Sequence, residues 1–176
     1  MSEPLLRTTR FELWKPRASD LAGLVRLIAA DETRRFLGPA EATPLSQFAR
    51  LMRNAGGWSL YGYGVALVRP RGSDEIIGTC GVFHSWRGFG KGLDDTPEAG
   101  WIVREDWWGQ GVAREAAEAM VAWFDAAHGP RRIACMIEEG NTASERLAAR
   151  LGFVEYDREE KDGERALVLY ERLPAS

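Results

Sequence analysis

Trp107-Trp108-Gly109-Gln110-Gly111-Val112-Ala113-Arg114-Glu115-Ala116-Ala117 is the stretch from which the architecture of this chain is read. The mostly apolar segment before it, Pro97 to Arg104, predicts a central strand. After it, Val112, Ala116, Met120, Trp123 and Ala127 recur at helical spacing, which predicts a long helix ended by Gly129-Pro130. Small residues at such a strand-to-helix turn carry chemical meaning. The first four amides of a helix have no partner within it, and the helix dipole favours negative charge there. Two glycines and an alanine leave room for a bulky anion, and Arg114 in the first turn makes sense if one sits nearby. Glycines used only for turn geometry give the same sequence, so both readings stand at this point. Other phosphate loops fit worse. A Walker loop needs Gly-Lys-Ser or Gly-Lys-Thr, and a dinucleotide loop would put its third glycine at position 114, which is Arg.

Working outward, Thr8 to Trp14 alternates and predicts a first strand, and Ser19-Asp20 precedes a helix from Leu21 to Ala30. Arg34 to Pro44 reads as a polar connection and Leu45 to Arg53 as a short helix. Trp58 to Val68 and Glu75 to His84 read as a hairpin, followed by a glycine-rich, mobile segment from Arg87 to Asp95. Arg132 to Glu138 is a strand. Thr142 to Leu151 is a helix with capping-box spacing at Thr142 and Glu145, ended by Gly152. Phe153 to Arg158 and Arg165 to Arg172 close the chain as a hairpin around Asp162-Gly163. The order is β-α-α-β-β-β-α-β-α-β-β: an α/β fold (α+β in some schemes), with helices on the faces of a mixed sheet.

The 176 residues fit one domain spanning 1–176. With 23 basic against 26 acidic side chains, the chain lacks the basic surface that phosphate neutralisation of nucleic acid needs. Two cysteines, Cys80 and Cys135, form neither a metal-ligand spacing nor a disulfide framework, which fits a reducing cytoplasm. Two histidines, His84 and His128, are too few for a His-rich metal site, so no metal is expected. No apolar run reaches signal-peptide or membrane-span length, so no membrane partner is expected either.

The run Trp108-Gly109-Gln110-Gly111-Val112-Ala113 resembles the acetyl-coenzyme A loop of the GNAT N-acetyltransferases, in the variant found in their RimJ/RimL-type branch. Three further segments resemble that branch in the same order: Gly78-Thr79-Cys80-Gly81, Glu98-Ala99-Gly100-Trp101, and Asn141-Thr142-Ala143-Ser144 followed by Arg150-Leu151-Gly152-Phe153. The resemblance covers roughly Thr8 to Arg172 and implies a mostly antiparallel, seven-stranded twisted sheet with about four helices and a splayed central strand pair. It implies acetyl-coenzyme A as cofactor and a primary amine as acceptor, either a protein N-terminus or a small molecule, attacking directly in a ternary complex.

By that resemblance the amides from Gly109 to Ala113, with Trp108, Gln110, Gly111, Val112 and Arg114, hold the pyrophosphate. Ile102, Val103 and Arg104 line the pantetheine arm, and Asn141 contacts the cofactor. Glu98 is the expected general base, and its even spacing from Ile102 puts both side chains on one side of the strand. Glu138 and Glu139 are alternatives, and each also reads as a solvated strand end. Many members of the family place a Tyr acid four residues before the Gly-Phe pair, where this chain has Ala148. Ser144 is then the expected hydrogen-bond donor to the leaving thiolate, which needs little help because free thiols ionise near pH 8.5. Cys135 reads as a small buried side chain. The acceptor pocket is expected from Arg34 to Arg53, Trp58 to Tyr63 and Ser85 to Asp95. A homodimer is compatible with the sequence. The rival reading is a non-catalytic acyl-coenzyme A or nucleotide sensor that keeps the loop without the chemistry.

Overall fold

Thr8 bends the chain where the sequence suggests one continuous strand: its hydroxyl accepts from the Phe11 amide at 3.0 Å, and its own amide donates to the Phe11 carbonyl. The alternating segment therefore splits into β1 (Leu6–Arg7) and β2 (Phe11–Trp14), giving eight strands in place of seven. The computed structural model describes residues 3–38, 40–160 and 163–174. The remaining strands are β3 (Val65–Pro70), β4 (Gly78–Trp86), β5 (Asp94–Val103), β6 (Ile133–Glu138), β7 (Val154–Glu159) and β8 (Leu167–Arg172). Their spatial order is β1-β2-β3-β4-β5-β6-β8-β7, antiparallel throughout except for β5 with β6. The predicted turn between β7 and β8 includes Asp162, which lies outside the described residues.

Five α-helices accompany the sheet: α1 (Leu21–Leu27), α2 (Asp31–Arg34), α3 (Pro44–Tyr61), α4 (Val112–His128) and α5 (Thr142–Arg150). Two of them differ from the sequence reading. α2 lies between the predicted first helix and the supposed connection, overlapping the latter at Arg34 alone. α3 runs through Trp58, which the alternation assigned to a strand. Thr43 caps α3 by accepting from the Ser46 amide, Pro44 opens it, and Gln47, Leu51, Asn54 and Trp58 are buried at helical spacing. The pair Gly56-Gly57 weakens this helix locally but does not end it.

α4 buries Val112, Ala116, Ala117, Met120, Val121 and Phe124 against β4 and β5. The stripe is centred one residue away from the predicted one, so Trp123 packs on Trp58 at the rim and Ala127 is exposed. At α5 the cap is Asn141, not Thr142. Its side chain accepts from the Ser144 amide, while Glu145 accepts from the Gly140 amide. Gly152 ends α5 with φ near +85°, and the Phe153 and Gly152 amides return to the Ala148 and Ala149 carbonyls. Because an L-residue at that φ costs about 1–2 kcal/mol, Gly152→Ala is expected to lower unfolding stability by about that amount in a urea titration. Ala148 is fully buried beside Phe153, which explains why a small residue stands there.

Candidate active site

The turn into α4 is tied down entirely from its carbonyl side. Arg10 donates to the Gln110 carbonyl at 2.9 Å and pairs with Glu115 at 2.7 Å, and the Gln110 side chain donates to the Asp106 carbonyl. Gly109 and Gly111 take φ of +70° and +75°, the left-handed region where glycine alone is unstrained. Among the described residues, none accepts a hydrogen bond from the amides of residues 109–114. A Cβ at Gly109 would meet nothing within 4 Å, whereas one at Gly111 would meet the Arg10 guanidinium at 3.4 Å. Amides without an acceptor at the start of a 17-residue helix, beside a cleft lined by Gly109, Gly111, Val112, Ala113 and Arg114, are an arrangement that suits an anion.

The cleft in front of this turn measures about 440 Å³. One wall is Trp107, Trp108, Gly109, Gly111, Val112, Ala113 and Arg114; the other is Glu32, Thr33, Phe36 and Leu37. Arg146 and Arg150 of α5 line it as well, exposed and one turn apart. Sequence reading missed both arginines, although their i, i+4 spacing behind Asn141 puts them on one helix face. It also missed Glu32 and Thr33 of the second wall, and it assigned the segment holding Phe36 and Leu37 to the acceptor pocket alone. Two expected cofactor contacts do not line this cleft. The Arg104 guanidinium is turned to Glu75 and Asp106, with Asp106 at 2.6 Å, and Gln110 points back to Asp106.

From the cleft a slot runs between β5 and β6. Their parallel pairing is confined to Glu98 with Ala134 and Ala99 with Cys135, after which the strands diverge. Trp101, Ile102, Asn141, Ser144, Phe36 and Leu37 line both the cleft and a second cavity of about 190 Å³ at the far end of the slot. On the β5 rim the Val103 carbonyl is taken by the Trp108 indole at 2.7 Å. Ser144 accepts from the Trp101 indole at 3.2 Å, which leaves its own hydroxyl proton to donate into the slot.

Glu98 closes the second cavity. It is 3 % exposed, and Arg87 binds it with both Nε (2.9 Å) and Nη2. Sequence reading found the carboxylate but missed its partner. Arg87 arrives there because the segment expected to be mobile is folded around Asp94, whose carboxylate accepts from the Arg87, Gly88 and Gly90 amides. Those bonds, that of Gly88 foremost, hold the Asp94 carboxyl below the usual carboxylate range. Cys135 also lines this cavity, but burial and then Glu98 push its thiol far above neutrality, so it stays protonated. Cys80 is pushed up to about 12 by burial. Of the segments expected to supply an acceptor pocket, Phe36, Leu37, Arg50 and Arg87 do line this cavity. Trp58 and Tyr63 instead belong to the core.

The fold is known elsewhere. The sequence profile of the family described as "Acetyltransferase (GNAT) domain" matches residues 10–154. A structure described as a GnaT-family acetyltransferase from Bordetella pertussis superposes with a TM-score of 0.84 at 33% identity, covering 95% of this chain and 98% of that one. An uncharacterized N-acetyltransferase, p20, from Bacillus licheniformis is 26% identical over 84% of this chain and 81% of its own length. RimL, a ribosomal L7/L12 alpha-N-protein acetyltransferase solved with coenzyme A, shares the fold at a TM-score of 0.78 and 17% identity, with 98% of each chain covered.

Proposed function

Since the chain belongs to the GNAT acetyltransferase family and is an acetyl-coenzyme A-dependent acetyltransferase, we propose that it acetylates a primary amine by direct attack in a ternary complex. The observation that carries this reading is the row of unpartnered amides at 109–114, opening onto a slot that ends at a buried carboxylate. The donor set fits the cofactor: backbone amides and the cations Arg146 and Arg150 for its phosphates, and an apolar trough past Ile102 and Val103 for its arm. Bound there, acetyl-coenzyme A supplies an activated acyl carbon and a thiolate leaving group.

The protein's own residues do the remaining work. Glu98 draws the acceptor nitrogen into the far end of the slot and takes its proton; each carboxylate oxygen keeps a second lone pair beside its bond to Arg87. Ser144, oriented by the Trp101 indole, donates its proton in a hydrogen bond to the departing sulfur. Asn141 holds the start of α5, and with it Ser144, at the slot. The acceptor is an N-terminal α-amine or a small-molecule amine. RimL acts on a ribosomal protein, and this chain's likeness to it supports the first of these.

Acetyl-coenzyme A is expected to raise the melting temperature in a concentration-dependent way, and free thiol to appear only when a suitable amine is added. The engagement of the buried Glu98 by Arg87 favours one rival, a sensor that binds the acyl thioester without turning it over. Under that reading the melting temperature rises and no amine in a broad screen of peptides and small molecules releases thiol.

A further inference from the structure

The acceptor end of the slot carries a positive charge that the protein does not neutralise. Three charged groups lining the second cavity are balanced: Arg87 and Glu98 by each other, and Glu138 by Arg165, outside the lining, at 3.5 Å. Arg50 of α3 lines the same cavity, half-buried, with no carboxylate within 4.0 Å and no hydrogen-bond acceptor among the described residues. Burial first, and then neighbouring Arg53, pull its pKa down to about 10, so it remains cationic at neutral pH. A guanidinium drawn away from water without a counter-charge is costly, and an arriving anion relieves that cost.

The two elements that carry Arg50 and Phe83 hold further unmatched polar groups, outside the cavity lining. One turn along the same helix face, the Asn54 side-chain nitrogen is buried without a partner. Ser85, two residues past the cavity-lining Phe83 and so on the same face of β4, has a buried hydroxyl without one. What the cavity leaves unmatched is the Arg50 guanidinium, which suits a carboxylate.

We propose that Arg50 binds a carboxylate of the acceptor, so that the substrate is a primary amine bearing an acid group close to the reacting nitrogen, and not a polyamine. The inference rests on the amine-acetylation reading above. Two sources share this chemistry: the α-carboxylate of a free amino acid, and an acidic side chain next to the amino terminus of a peptide. A planar guanidinium serves either by a two-pronged bond.

The test measures thiol release with matched acceptors: free amino acids against their carboxamides, blocked peptides with Asp against Asn in second place, and spermidine. The acid member of at least one pair is expected to exceed its neutral partner by about 10-fold or more in kcat/KM, because a buried charge left unpaired discriminates strongly. Which pair shows the preference identifies the source. Arg50→Gln should raise KM for the acid member by a similar factor with little change in kcat, and Arg50→Lys should recover part of it. Equal turnover of neutral and acidic members, a preference for spermidine, or a preference that survives in Arg50→Gln would overturn the proposal while leaving amine acetylation standing. Acetyl-coenzyme A binding without thiol release from any acceptor would instead sink the underlying reading, and this one with it.

Discussion

Ala113→Glu is expected to weaken acetyl-coenzyme A binding by about 100-fold while leaving the fold as stable as before, or slightly more so. Ala113 is the second residue of α4 and lines the cleft, so the new carboxylate would stand among the unpartnered amides. For the helix that is favourable: an acidic side chain in the first turn contributes about 0.3–1 kcal/mol through the dipole. For a pyrophosphate it is the reverse. A like charge about 4 Å away at an effective dielectric near 20 opposes binding by up to about 4 kcal/mol, and 100-fold corresponds to about 2.7 kcal/mol. The two effects have opposite signs, and calorimetric titration alongside thermal unfolding reads them separately. A variant that binds the cofactor as tightly as the parent would remove the anion site from α4. A variant that merely unfolds is not expected, since position 113 is half-buried and already helical.

Glu98→Gln carries the second large effect. A positioned general base contributes about 100- to 10,000-fold, so kcat is expected to fall by at least about 100-fold with cofactor affinity unchanged. The substitution also removes the ion pair with Arg87, whose side chain is 35 % exposed, which lowers stability modestly. Arg87→Gln breaks the same ion pair from the other side and serves as the control. If Glu98 only anchored Arg87, the two variants would lose activity together and in proportion to stability. If Glu98 takes the proton, Arg87→Gln retains far more turnover than Glu98→Gln at equal unfolding free energy. Ser144→Ala should cost less, about 10-fold in kcat, because a thiolate leaves readily without strong assistance.

Much of the site was legible in short motifs because those residues act through local backbone geometry. Gly109, Gly111 and Ala113 make an anion site by being small at a strand-to-helix turn, a property that belongs to the sequence at that point. Asn141 and Ser144 were singled out by family resemblance, while the capping-box spacing pointed to Thr142 and the cap proved to be Asn141. Glu98 was found but its environment was not. Its partner Arg87 lies eleven residues away on a segment whose glycines suggested mobility. Only Asp94, gathering three amides onto one carboxylate, brings that arginine back. Arg104 shows the converse. It sits at the right place along the chain, but Asp106 and Glu75 turn its guanidinium away from the cleft.

The sequence by itself determined the glycine turn ahead of α4 and most of the element order, all but the break between β1 and β2 and the short α2, because periodicity and turn chemistry act over a few residues; Glu98 was singled out by family resemblance. The tertiary structure alone decided that β5 and β6 part after two paired residues. It also decided that α2 supplies the second wall of the cleft and that Arg50 reaches the acceptor cavity without a counter-charge. These depend on which side chains meet across more than thirty residues of chain. Such meetings are settled by packing and by the cost of burying charge, and neither is written in any local pattern.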